Sequence, residues 1–155
     1  MENISILNIW EEYKKINPNA PDHYDAWAFG NSKEMADQLA GLVIEGKKTA
    51  TASNYIFYDM EQVPIPYKEL HNIILDGSGK AVAIVETTSV NIMPFNEVSE
   101  EHAYLEGEGD RSLSYWRKVH EDFFKQELAS IQQVFHEQIP VVCERFKLVY
   151  KSPST

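Results

Sequence analysis

Residues 71–90, HNIILDGSGKAVAIVETTSV, read as two strands folded back on a single turn, and this hairpin decides the class of fold. Residues 71–75 and 81–90 are rich in β-branched side chains, and Asp76-Gly77-Ser78-Gly79 between them supplies the residue types that turns need. Working outwards, residues 49–58 and 141–150 share that character and predict further strands, giving a small antiparallel sheet or barrel. The remaining periodic segments are helical. Ile6, Leu7, Trp10, Tyr13 and Ile16 fall at helical spacing over residues 4–16, which Asn17-Pro18 and Pro21 bring to an end. Asn31 with Glu34 suits a capping box ahead of the apolar face Met35, Leu39, Leu42 and Val43, and Gly46 offers a stop. Leu113, Trp116, Val119, Phe123, Phe124 and Leu128 mark a third helix over residues 112–128, with Asp110 offered as its cap. Helices and strands that come in separate runs predict α+β rather than alternating βαβ.

The chain has 155 residues, 43% of them hydrophobic and 12% aromatic, ample material for the core of one domain. No repeat, low-complexity tract or linker divides it, so residues 1–155 are expected to form one unit with a helical extension at about 1–22 and a flexible tail at about 151–155. Acidic side chains number 24 against 14 basic, a formal net charge of −10. Such a balance disfavours long double-stranded nucleic acid as a partner and leaves a nucleoside or a short RNA open. The single cysteine, Cys143, has no partner for an internal disulfide, which suits a reducing compartment, and cytoplasm is the expected location. No apolar run approaches the roughly 20 residues of a membrane span, so no membrane partner is expected.

Two stretches are built for chemistry rather than packing. Gly46-Lys47-Lys48-Thr49-Ala50-Thr51-Ala52-Ser53 sets an amine and three hydroxyls at a predicted helix-to-strand junction, and Glu106-Gly107-Glu108-Gly109-Asp110-Arg111-Ser112-Leu113 sets carboxylates among glycines that allow close backbone approach. The site is expected where they meet. Extension from Thr49 puts Thr49, Thr51 and Ser53 on one face and Ala50 and Ala52 on the other, which by spacing alone suits a solvated strand face before a hydroxyl-lined cleft. Lys48 in the turn is placed to bring its ammonium beside Thr51, to bind an anion or, if desolvated, to act as a base; Lys47 faces solvent. Glu106, Glu108 and Asp110 lack the EF-hand ligand pattern, and no metal or other cofactor is expected. Glu86, in the centre of an apolar strand, must face water, a partner or a pocket. The five histidines, at 23, 71, 102, 120 and 136, lack metal-ligand spacing, and there is no Gly-x-Ser-x-Gly or phosphate-binding loop.

With these residues in view, Gly46-Lys47-Lys48-Thr49-Ala50-Thr51 resembles the Gly-x-Lys-x-x-Thr signature of ASCH domains. Trp27-x-Phe29-Gly30, Glu86-Thr87-Thr88, Pro94-Phe95 and the loop 106–113 with Trp116 resemble, in order, the longer bacterial members, over roughly residues 24–150. The resemblance implies a PUA-like small antiparallel β-barrel flanked by helices, with a cleft for RNA or a modified nucleoside. A short bacterial branch consists of amidohydrolases that deacetylate N4-acetylcytidine, and its lysine, threonine and glutamate fall on Lys48, Thr51 and Glu106, the last within His102-Ala103-Tyr104-Leu105-Glu106.

By that resemblance Lys48 takes the proton of Thr51, whose hydroxyl attacks the acyl carbonyl, and Glu106 passes a proton to the departing amine. Substrate contacts are expected from Ser53, Trp27, Tyr55, Glu86, Arg111 and Asp110. Ser53 stands where the short branch has an arginine, and Arg111 or Arg117 is available to replace that charge. Two other readings stand beside this one. One is a non-catalytic module that stacks a base on Trp27, Tyr55 or Tyr104, and the other is a metal-aided ribonuclease using the acidic loop.

Overall fold

A computed structural model describes residues 3–153. Its elements run α1 (Ile4–Ile16), β1 (Asp25–Ala28), α2 (Lys33–Ile44), β2 (Ala50–Asn54), α3 (Tyr55–Glu61), β3 (His71–Leu75), β4 (Ala81–Pro94), a short 3-10 turn (Phe95–Glu97), α4 (Glu100–Glu106), α5 (Leu113–Ala129) and β5 (Pro140–Lys151). One five-stranded sheet has the order β1-β3-β4-β5-β2. All its pairings are antiparallel except β1 with β3, whose connection through α2, β2 and α3 is long enough for the crossover that a parallel pair needs. Bulges at Ile84/Val85 and Thr87/Ser89 in the long pairing of β4 with β5 bend the strands, and the sheet curls into a half-barrel with β1 and β2 as its free edges. The architecture is α+β, as the separate runs of helix and strand predicted.

Each long helix buries its apolar stripe against this sheet. Leu39 and Val43 of α2 meet Val85, Phe146 and Phe29; Trp116, Phe124 and Leu128 of α5 meet Phe95 and Val141; Ile9, Trp10 and Tyr13 of α1 meet Ile73 and Ile84. Each such large side chain taken out of water contributes about 1.5–3 kcal/mol. No helix among the described residues is long and apolar enough to cross a membrane.

Several local expectations shift by a residue or an element. The cap of α2 is Ser32, whose side chain accepts from Met35 N, rather than Asn31. The cap of α5 is Ser112, accepting from Tyr115 N, while Asp110 accepts from Ser112 N one turn earlier. The predicted strand 49–58 stops at Asn54, because the Asn54 side chain accepts from Ile56 N and starts α3. The helical extension forms α1, and Lys151 closes β5 with Ser152 N donating to Val82 O at 3.0 Å; residues 154–155 of the expected tail lie outside the described residues.

Candidate functional site

The turn after α2 and the loop after α4 are laid directly on one another. Gly46, at φ +80°, ends α2 and turns the chain, and Lys47 N and Lys48 N both donate to Leu42 O. Thr49 N then donates to Leu105 O at 2.8 Å, and the Arg111 guanidinium ties the layers from above, donating to Tyr104 O at 3.0 Å and Lys47 O at 3.2 Å while lying 3.7 Å from the centre of the Tyr104 ring. Gly107 makes this contact possible. Its φ is +76°, and a Cβ there would stand 2.4 Å from Lys47 O. The two chemically loaded stretches therefore meet, as the sequence led one to expect.

Their meeting buries Lys48 and Glu106 to 1% exposure each. Lys48 Nζ donates to Ala50 O at 2.9 Å and Glu108 Oε2 at 3.0 Å, lies 3.4 Å from Glu106 Oε1, and sits 5.2 Å from the centre of the Phe29 ring. Glu106 is held on its other side by α5 and by its own helix. Trp116 Nε1 donates to Oε2 at 2.6 Å, His120 Nε2 is 3.4 Å from Oε1, and His102 Nε2 is 3.2 Å from Oε2 but too poorly aligned for a hydrogen bond. Burial alone would raise the Glu106 carboxyl; Lys48 first, then His120 and His102, hold it well below the ordinary carboxylate range instead. For His120 burial acts downward, yet Glu106 and then Glu108 raise its imidazole.

These groups open onto a cavity of about 420 Å³ lined by Lys48, Thr51, Glu106, Glu108 and His120, with Phe29, Leu39 and Phe123 as its apolar wall. Thr51 reaches the same cavity from β2; among the described residues its hydroxyl makes no hydrogen bond. A second chamber of about 640 Å³ adjoins the first along Phe29, Gly30, Thr51, Ala52 and Phe123 and is walled by Trp27, Ser53, Tyr58 and Tyr67. Ser53 Oγ is within 2.8 Å of the Tyr58 hydroxyl there.

Of the nine predicted site residues, the fold thus brings Lys48, Thr51 and Glu106 to one chamber and Trp27 and Ser53 to the next. The other four lie elsewhere. Glu86 faces a separate pocket with His71 at 4.0 Å and Lys147 at 3.9 Å. Tyr55 is in the first turn of α3, Asp110 is exposed, and Arg111 braces the two loops, all three away from both chambers. Sequence reasoning missed His120, His102 and Trp116, which converge on Glu106 from two helices. The spacing of His102 and Glu106, four apart on α4, was a readable signal; His120 and Trp116, likewise four apart on α5, carried no mark of where that helix would dock. Glu106, Glu108 and His120 also bring oxygen and nitrogen atoms within 4.8 Å of one another, and the Lys48 ammonium lies within 3.4 Å of Glu106 and 3.0 Å of Glu108.

Comparison with known proteins shows the family and the fold. The family model described as the ASCH domain matches residues 25–150. The crystal structure of an ASCH domain from Lactobacillus crispatus superposes with a TM-score of 0.88 at 32% identity, covering 97% of this chain and 96% of that one. Protein EF3133 of Enterococcus faecalis superposes with a TM-score of 0.87 at 39% identity, covering 94% of this chain and 88% of that one. The hypothetical protein PH0355, 19% identical with a TM-score of 0.51 over 80% of this chain and 99% of that one, shares the fold alone. No curated protein matches the chain.

Proposed function

This chain belongs to the ASCH domain family, whose PUA-like members generally bind RNA, and from that premise we propose that its cleft deacylates an N4-acylated cytidine, as the nucleoside or in a short RNA, without a metal ion. The observation that carries the reading is the convergence of Lys48, Thr51 and Glu106 on one cavity, with the amine and the carboxylate both removed from water.

The ammonium of Lys48 first passes a proton to Glu106, 3.4 Å away. Neutral Lys48 then takes the proton of Thr51 as its Oγ bonds to the acyl carbon. The C–N4 bond breaks, and N4 leaves with the proton that Glu106 had received, restoring the ammonium and the carboxylate. Water next attacks the acyl-Thr51 ester, giving its proton to Glu106, while Lys48 returns one to the departing Thr51 oxygen; Glu106 then hands its proton to Lys48, restoring the ion pair. The sum is acylcytidine plus water to cytidine plus carboxylic acid. Transfer of charge within the pair suits the buried site, because the Lys48 ammonium that holds Glu106 ionised loses its charge in the same step that protonates it.

Chromatography of N4-acetylcytidine incubated with the protein tests this. Release of cytidine that survives EDTA and disappears in Lys48→Ala and Thr51→Ala is the expected result. Full activity in Thr51→Ala would remove threonine as the nucleophile; loss of activity with EDTA would move the acidic loop to a metal-aided role. No cytidine from any preparation would leave a binding module, a reading favoured by the unbonded Thr51 hydroxyl and by the engagement of Lys48 with two carboxylates.

A further inference from the structure

Of the three carboxyl groups that line the second chamber, Asp25 lies 3.6 Å from His23, while among the described residues the fold gives Glu127 and Glu144 no cation. Glu144, 5% exposed in the middle of β5, receives one hydrogen bond, from Thr87 Oγ1 to Oε2 at 2.5 Å. Thr87 is fixed in turn by Asn72 Nδ2 at 3.2 Å, and Asn72 Oδ1 accepts from Trp27 Nε1 at 3.0 Å, so a chain of hydrogen bonds links Glu144 to the aromatic wall. Glu127, on the facing side of α5, has an Oε1 atom out of contact with water and without a donor. Among the described residues, no lysine or arginine lines the chamber. Burial therefore raises both carboxyls, Glu127 to about 7 and Glu144 also upward against the opposing Thr87 bond. A buried acceptor without a donor is costly, and here the missing donors face a cavity rather than the protein.

A ligand that fits must bring N–H groups and a flat ring, since Trp27, Tyr58, Tyr67 and Pro66 supply the walls. We propose that this chamber is a nucleobase subsite selective for an amino-substituted base, Glu127 and Glu144 accepting its N–H groups while Trp27 and Tyr67 cover its ring. The inference rests on the nucleoside reading of the adjoining chamber and extends it. Thr51 and Ala52 form the seam between the two spaces, so a base held in the second chamber lies beside Thr51. Uracil has the size of cytosine but carries a carbonyl where cytosine carries the amine, and that oxygen would oppose the carboxylate acceptors. Discrimination of this kind, by donors and acceptors on a base edge, is stronger than discrimination by shape.

Calorimetric titration of the full chain with cytidine and with uridine at pH 8, where Glu127 is ionised, tests the subsite without relying on turnover. Cytidine is expected to bind at least about tenfold more tightly. In Glu127→Gln, on a half-buried flank of α5, the new amide donates to a carbonyl, and the preference should narrow to about threefold or less. Tyr67→Ala should weaken both nucleosides by a similar factor, as loss of stacking does. Equal binding of the two nucleosides, a preference unchanged in both Glu127→Gln and Glu144→Gln, or saturable binding of spermidine or magnesium with none of cytidine, each overturns the proposal. Hydrolysis of N4-acetylcytidine without base preference overturns the subsite and leaves the catalytic reading standing; base preference without hydrolysis does the reverse.

Discussion

His120 Nε2 faces Glu106 Oε1 at 3.4 Å with its other ring nitrogen fixed on the Trp116 carbonyl at 2.9 Å. A carbonyl only accepts, so Nδ1 carries a proton, and with a carboxylate in front of Nε2 the doubly protonated ring satisfies both partners. Burial opposes that charge, but Glu106 and Glu108 raise the imidazole above its ordinary 6.5. Lys48 is the cation on the far side of the same two carboxylates. The stabilisation from protonated His120 is therefore complete below about pH 6.5 and is lost as pH rises through the raised folded value. Urea midpoints should decline above pH 6.5 in the wild type, and His120→Gln should flatten that decline; parallel curves for the two proteins would contradict it.

Glu127 governs a lower window. Its folded carboxyl is raised from 4.5 to about 7 by burial, so the folded chain holds the proton more tightly than the unfolded chain does. Stability then falls as pH rises from 4.5 to about 7. Glu127→Gln, which carries no charge, should remove this part of the slope and raise the melting temperature at pH 8 more than at pH 5. An equal change at both pH values would show the side chain to be effectively solvated.

Removal of Lys48 leaves two carboxylates facing each other. Lys48→Met should cost about 3–5 kcal/mol, the usual penalty for stranding one side of a buried ion pair. Adding Glu106→Gln should restore part of that loss, and the double-mutant cycle by chemical denaturation measures the coupling. Additive losses would mean that the two groups do not interact.

At Gly107 the constraint is backbone rather than charge. Gly107→Ala combines a left-handed φ of +76° with a Cβ 2.4 Å from Lys47 O, and should destabilise by about 1–3 kcal/mol. If hydrolysis is confirmed, kcat should fall more than KM rises, because the loop contact that aligns Lys48 with Glu106 is displaced. A fully active, equally stable variant would show that the two loops are free to separate.

How much of this was legible in the sequence follows from the range of the interactions. The hairpin of β3 and β4 and the stripes of α1, α2 and α5 are local patterns, and each element stands close to where the periodicity put it. β1 was invisible because three of its four residues are exposed, which leaves neither an apolar run nor an alternation to read. The α3 segment reads as strand because Tyr55, Ile56, Phe57 and Tyr58 have β-forming side chains; the cap from Asn54 overrides that preference. For the site, the glycine-flanked motifs gave away the two loops and their meeting. What they hid was the company of Glu106: Trp116 and His120 come from a helix whose register against α4 is decided by core packing around Phe95 and Phe124, and no pattern within either segment encodes that.

Among the described residues β2, the strand that carries Thr51, is bonded to β5 and to no other strand. During synthesis it emerges early and waits. Its neighbour in the sheet is made long after it, and the carboxylate that meets Lys48 follows the lysine by 58 residues. Half of the proposed machinery is thus on the ribosome's far side, unpaired and without geometry, until the closing strand arrives to seat it. Such a layout ties competence to completion: a nascent or cleaved chain lacking β5 keeps every nucleophile and base by name, yet has no surface on which to assemble them.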